Sequence, residues 1–407
     1  MRQRTDWSIL HRAPCAELLL LMLKRIYADN FKCLVNFDWQ PGPATINLLL
    51  GPNGGGKSTV LECLDSIRAF ATGENTVDDL FPGSTLTLWQ DVLEQKLEID
   101  IERTGSVYRY ELVIEHDKSR AKRRVSLESL SYDGKPLLRF AGGEVRLYRD
   151  NHSEGPVYPF DWSRSVMASL APRPENTKLT WFKTALRGIT VLQIVPPMME
   201  ETSIMQTPRP LRYFQNFVSW YRWVSEDQGT AFRLQRDLKN ILPRFSHFRF
   251  EEYGPEARLL KAVFDQDGAN AVALNFCSLS DGQRMLVALY ALLNRLSAES
   301  LDAGINSDLP GGMLCLDEPD NFIASREIQP WLSAVEDRLL NTKARLLMIS
   351  HHPESIDYAL IPSSGEAFSA FWFSREEGRH TRVQPVAAEA PDGLKPSELA
   401  ARGWLTG

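Results

Sequence analysis

Gly51-Pro52-Asn53-Gly54-Gly55-Gly56-Lys57-Ser58-Thr59 decides how this chain is read. An apolar run, Ile46–Leu50, precedes it, and a helical pattern, Val60–Ile67, follows. Strand, glycine-rich loop, helix is the context a phosphate-binding loop requires, and the spacing from Gly51 to Ser58 fits G-x-x-x-x-G-K-[ST]. Glycines lack a Cβ, so consecutive N–H groups can turn inward and form a nest for anionic oxygens. The positive end of the next helix adds to the attraction. Lys57 supplies a mobile cation for β- and γ-phosphates, and Ser58 an oxygen for Mg²⁺.

The 407 residues are enough for a large core and two or three domains. Hydrophobic content of 43% with 24% charged residues is that of a globular protein. A net charge of −6 argues against a whole-surface nucleic-acid binder, though not against a local basic groove. Cys15, Cys33, Cys63, Cys277 and Cys315 are scattered with no C-x-x-C pair, which predicts neither a zinc site nor a disulfide framework. That reducing pattern, with no apolar run of membrane length, predicts a cytoplasmic protein with no membrane partner. The apolar stretch Leu18–Leu23 is too short for a signal core and runs into Lys24-Arg25. Residues 1–21 are expected to be an extension, or the product of a misplaced start codon.

Four segments are expected: the extension (1–21), a first part of a core around the phosphate loop with a β meander (22–150), an inserted helical lobe (151–245) and a second core part (246–407). Leu23–Phe31 and Cys33–Trp39 read as strands, and a helix is expected over Ser58–Phe70. From Lys96 to Tyr148 the apolar residues alternate, with turns at Gly105, Lys118-Ser119 and Asp133-Gly134, as in an antiparallel meander with one wet face. Residues 151–245 show helical spacing over Thr177–Leu186, Leu211–Val224 and Ala231–Leu242, with one buried-looking strand, Gly188–Val195. Their tryptophans read as packing. Strands are expected at His247–Glu252, Leu259–Phe264 and Ala271–Phe276, and later at Glu366–Phe373 and Arg382–Val386.

Three further stretches carry chemistry. Ser280-Asp281-Gly282-Gln283 opens an apolar helix, and a Ser and a Gly there make an N-terminal anion site. The apolar strand Met313–Leu316 ends in Asp317-Glu318, where Asp317 is placed to hold Mg²⁺ and Glu318 to polarise an attacking water. A second apolar strand, Ala344–Ile349, ends in Ser350-His351-His352, where His351 can reach a γ-phosphate and sense it.

The ordered set GPNGGGKST, LSDGQ, LCLDEP and ISHH resembles that of an ABC-type ATPase over most of the chain from Met22. The resemblance implies an α/β P-loop NTPase core binding ATP and Mg²⁺. It assigns Gly51–Thr59 to the nucleotide, Ser58 and Asp317 to the metal, Glu318 to hydrolysis and His351 to the switch position. It also implies that Ser280, Gly282 and Gln283 cap ATP held by a second copy, in a head-to-tail homodimer. Lys57 and Leu279 lie about 220 residues apart, far more than in transporter ATPases. With the start Asp29-Asn30-Phe31-Lys32 this is similar to the RecF/SMC-like branch, and to stand-alone bacterial ATPases of two-gene systems in phage defence and DNA maintenance. A separate effector protein from a neighbouring gene is then the expected partner, and DNA stays open. The alternative is a low-turnover ATP-dependent scaffold.

Two features depart from the family pattern. No Asp stands at the usual offset beyond Glu318, and the glutamine that normally meets Mg²⁺ is either Gln90 or Gln193, or neither. The basic run Lys118–Arg124 reads as a solvated hairpin tip. Arg209 and Arg212, with Arg244 and Arg249, are further basic residues near the helical segment.

Overall fold

The structure, a computed structural model, describes residues 22–405 apart from 120, 267–268, 303–311, 343, 361–366, 376–378 and 387–393. The expected extension, residues 1–21, lies outside the described residues.

Short strands buried on both faces build the centre. β3 (Ile46–Leu50), β15 (Met313–Asp317) and β16 (Arg345–Ile349) are buried at every residue, as expected of a parallel sheet covered on both sides. With β10 (Ile189–Leu192), β17 (Phe368–Ser374) and β18 (Arg382–Pro385) they form a six-stranded sheet in the order β10-β15-β16-β3-β17-β18. The first five run parallel and only β18 is antiparallel. Successive side chains point to opposite faces. Leu49, Cys315, Leu347 and Ile349 enter one core, and Leu48, Leu316, Leu346 and Met348 the other.

The first core is closed by helix α1 (Lys57–Thr72), the short helices α2 (Val77–Leu80) and α3 (Val166–Ser169), α4 (Thr177–Arg187) and a large antiparallel sheet. That sheet contains β1 (Met22–Asp29), β2 (Phe37–Trp39), β4 (Glu94–Arg103), β5 (Ser106–His116), β6 (Arg123–Tyr132), β7 (Lys135–Ala141), β8 (Glu144–Tyr148) and β9 (Glu154–Pro159), in the order β2-β1-β4-β5-β6-β7-β8-β9. The second core is closed by α5 (Phe217–Val224), α6 (Gln228–Ile241), α7 (Asp281–Asp302), α8 (Ser325–Asn341), α9 (Pro353–Leu360) and α10 (Pro396–Ala401). A small sheet joins them: β11 (Thr202–Ser203), β12 (Phe245–Tyr253), β13 (Ala257–Gln266) and β14 (Ala269–Asn275). Phe214, Phe217, Trp220 and Tyr221 pack there, with Phe217 stacked on Phe276 at 4.9 Å, while Trp181 and Phe182 enter the first core.

Three expectations shift. The strand expected over Cys33–Trp39 is only Phe37–Trp39, because Asn30, Lys32 and Asn36 all take positive φ and Phe31 bridges Leu34 in a tight turn. Helix α5 begins at Phe217 rather than Leu211, because Leu211 donates its N–H to the Asn216 side chain and Phe214 has φ +56°. Residues 151–245 are not a separate helical lobe. β9 extends the meander, α4 packs on α1, and β10 pairs in parallel with β15 as the edge of the central sheet. Ile189, Val191 and Leu192 are apolar and largely β-branched, and such a run gains more by burial in the sheet than in a helix.

The chain after β1 is fixed by one buried amide. Asn30 Nδ2 donates to the carbonyls of Val92 (2.9 Å) and Glu94 (2.8 Å), and its Oδ1 accepts from Thr87 N (3.0 Å). Gln95 completes the knot by donating to the carbonyls of Asn30 and Thr85. Asn30→Ala leaves the buried Thr87 N–H and the part-buried Val92 and Glu94 carbonyls without their partner. It is expected to lower unfolding stability by about 2–4 kcal/mol, read as a lower urea midpoint at unchanged slope; a loss within about 0.5 kcal/mol would show that water replaces the amide.

Candidate functional site

Because β10, β15, β16, β3 and β17 are parallel, their C-terminal ends share one edge, and the chemistry-bearing residues sit just beyond them. Gly51 follows β3, Glu318 follows β15, and Ser350-His351 follow β16, which lies between the other two.

The loop Gly51–Gly56 turns through left-handed backbone at Gly51 (φ +131°), Gly54 (+77°) and Gly56 (+102°). Close neighbours enforce the glycines. A Cβ on Gly51 would land on the Phe373 carbonyl of β17, one on Gly55 would come within 2.9 Å of the same oxygen, and one on Gly56 would strike the Thr381 side chain. Gly54 has open space and needs glycine only for its φ. Lys57 is buried at the start of α1, and its Nζ donates to the carbonyls of Gly51 (2.8 Å) and Pro52 (2.9 Å). Burial lowers its pKa to about 8, against the pull of the nearby Glu318 and Asp317 carboxylates.

Burial pushes the Asp317 carboxyl above its ordinary value, while a hydrogen bond from the Ser58 side chain opposes the shift. A hydroxyl and a carboxylate meeting beside a phosphate loop are hard oxygen donors, and this pair fits Mg²⁺. Glu318 has φ +50°, a conformation costing a non-glycine residue about 1–3 kcal/mol. Its N–H is held by the Ile349 carbonyl (3.0 Å) and its Oε2 accepts from Asn321 Nδ2 (2.6 Å). Its Oε1 stands 3.6 Å from His351 Nε2. Burial and then Lys57 depress the His351 pKa, against Glu318 and Asp320, so the ring is neutral at pH 7.

The structure thus brings Lys57, Ser58, Asp317, Glu318 and His351 to one point. It does not bring the Ser280 turn there by any hydrogen bond among the described residues. Ser280 N donates to Gln283 Oε1 (3.0 Å) and Gln283 N donates to Ser280 Oγ (3.3 Å), a reciprocal cap on α7. Gly282 is fixed by the Phe322 carbonyl, which a Cβ would approach to 2.8 Å. Of the two glutamines, Gln193 lies one residue beyond Leu192, whose register partner is Leu316, so it stands beside the Asp317 end of β15. Gln90 lies in the loop between Leu86 and Leu93.

Two residues with a part in this arrangement were not singled out for it by their sequence context. Asp320 is 1% exposed and accepts hydrogen bonds from Ser350 and Ser355, tying the His351 turn to the end of β15. The paired serines flanking His351 are its only trace in the sequence. Arg212 lies close enough to oppose the upward shift of Asp317. It is about 100 residues from Asp317 in the chain, and no local pattern marks it.

Residues 46–357 match the family model described as "AAA domain, putative AbiEii toxin, Type IV TA system". No curated protein sequence matches the chain. Among solved structures, one similar to it is the Smc head domain with an extended coiled coil bound to the C-terminal domain of ScpA, from Pyrococcus furiosus. That match has 10% identity, covers 90% of this chain and 97% of that one, and has a TM-score of 0.51. The SMC head domain from Thermotoga maritima covers the same share at 13% identity, with 99% of its own length and a TM-score of 0.45. At such identities the likeness is one of fold.

The glycine contacts predict a ranking. Gly56→Ala must displace Thr381 and is expected to weaken nucleotide binding by about 30-fold or more, a loss of about 2 kcal/mol. Gly54→Ala strains only its own φ, in the free and the bound protein alike, and is expected to weaken binding several-fold less than Gly56→Ala. Titration with a fluorescent ATP analogue reads both, and equal losses would contradict the contact argument.

Proposed function

The chain belongs to the family described as AAA domain, putative AbiEii toxin, type IV TA system, with a P-loop ATPase fold of the SMC-head kind, and from that premise we propose that it is a Mg²⁺-dependent ATPase whose ATP joins two copies head to tail. The observation that carries the reading is the meeting of Lys57, Ser58, Asp317, Glu318 and His351 at the end of one parallel sheet.

In this reading the N–H groups of Gly51–Thr59 and the Lys57 ammonium bind the phosphates, Ser58 and Asp317 would hold Mg²⁺, and Gln193 is the glutamine that would meet it. Bound there, Mg²⁺ would supply positive charge against the phosphate chain. Glu318, held by Asn321 and by the Ile349 carbonyl, orients a water and accepts its proton. Neutral His351 faces the same carboxylate and reports on the γ-phosphate. Ser280, exposed at the start of α7, offers its hydroxyl and the helix N-terminus to ATP on the second copy. Contact that exists only with the γ-phosphate in place makes hydrolysis the opening step. The family's description names a putative toxin of a type IV TA system, which supports a two-component arrangement with a second protein. Action in phage defence or on DNA rests on that analogy alone.

Light scattering with and without ATP-Mg²⁺ tests the reading. Glu318→Gln is expected to form a stable dimer with ATP and to hydrolyse it about 100-fold or more slowly than wild type, which dimerises only transiently. A wild-type monomer that hydrolyses ATP at full rate, or a Glu318→Gln protein that stays monomeric with ATP bound, would overturn the dimer mechanism.

A further inference from the structure

A second cleft, of about 610 Å³, opens at the outer edge of the central sheet, between β10, the C-terminal part of α1, the 208–212 segment and α7. Its walls carry five arginines, Arg68, Arg187, Arg209, Arg212 and Arg295. Among the described residues, two carboxylates, Asp65 and Glu74, line the same walls. Arg68, Arg187, Arg209 and Arg212 against these two carboxylates leave 4 − 2 = +2, in a chain whose net charge is −6.

Internal pairing uses both carboxylates. Arg68 binds Asp65 (2.7 Å) and Glu74 (2.6 Å), and Arg209 shares Glu74 while donating to the Arg187 carbonyl (3.0 Å). Arg295 stacks over Trp223 at 4.8 Å. The guanidinium groups of Arg187 and Arg212 make no hydrogen bond among the described residues, and Nε of Arg212 is buried without a partner. Crowding of like charge is felt within the cleft. Burial lowers the Arg209 pKa, and Arg68 and Arg187 lower it further, against Glu74. Concentrated positive charge in a recess is costly unless an anion offsets it, and the planar guanidinium fork suits phosphate oxygens best.

We propose that this cleft binds a small molecule carrying a pyrophosphate or longer phosphate chain, held by Arg187, Arg209 and Arg212. Each phosphate carries about −1.5 to −2 charge, so a linked pair more than offsets the excess, and a recess of this volume is of small-ligand size. The site is distinct from the Gly51–Thr59 loop. Arg68 lies 11 residues along α1 from Lys57, about 16 Å of helix. Arg212 connects the two, because it lines the cleft and acts on Asp317. A phosphate chain bound in the cleft competes with Asp317 for that cation.

Equilibrium dialysis of radiolabelled pyrophosphate against the full-length Lys57→Ala protein tests this with the phosphate loop disabled. One pyrophosphate per chain is expected. Adding Arg187→Glu, an exposed position, should weaken binding tenfold or more. Adding Lys118→Glu on the β5–β6 hairpin, the same charge change elsewhere, should leave it unchanged. Thermal unfolding of each protein establishes that it is folded. No binding to the Lys57→Ala protein overturns the proposal, as does equal weakening by both glutamates. So does binding of a single-stranded oligonucleotide without binding of pyrophosphate, which would make the cleft a nucleic-acid track.

Discussion

The carbonyl oxygen of Phe373 fixes the phosphate loop. It occupies the space that side chains on Gly51 and Gly55 would need, and it belongs to β17, which pairs with β3. The loop is therefore moulded on the neighbouring strand as well as by its own glycines. Because β3, β15 and β16 are parallel and buried on both faces, the loop, the acidic pair and the histidine turn inherit their spacing from strand separation, about 4.8 Å per strand. Local details then refine it: the αL backbone of Glu318, the Asn321 bond, and Asp320 under the His351 turn.

Electrostatics in this edge are mutually dependent. Lys57 is buried with two carboxylates near it, Asp317 is raised by burial, and His351 is lowered by burial and by Lys57. Lys57 acts on both Asp317 and His351, so a substitution at Lys57 alters the protonation of the other two. Arg212 extends that dependence toward the second cleft.

Much of the fold was legible because two periodicities are strong. The alternation from Lys96 to Tyr148 gave the meander, and the apolar runs ending in Gly51, Asp317 and Ser350 gave the central strands and the order of the site. What stayed hidden depends on partners distant in the chain. Ile189–Leu192 could be read as a buried strand, but only its pairing with β15 shows that it belongs to the central sheet. Residues 211–216 carry helical spacing, yet Asn216 and Phe214 hold them in a loop. Asp320 and Arg212 act through contacts with no fixed spacing; Arg212 sits in no motif, and the stretch after Glu318 does not show that Asp320 reaches Ser350 and Ser355.

The neighbours of β3 arrive late. Ile46 pairs with Leu346 and with Phe368, so the second partner lies 368 − 46 = 322 residues downstream. During synthesis, Gly51–Thr59 emerges from the ribosome long before the strand that moulds it. Until β17 leaves the exit tunnel, β3 has an open edge on that side, and the first half of the chain must wait with its apolar run unpaired. At about 5–20 residues per second, that interval lasts on the order of half a minute, and the nascent chain spends it exposed to chaperones or to mispairing. The protein is thus closed from its C-terminal end, and a truncation before Phe373 removes the mould of a loop more than 300 residues upstream.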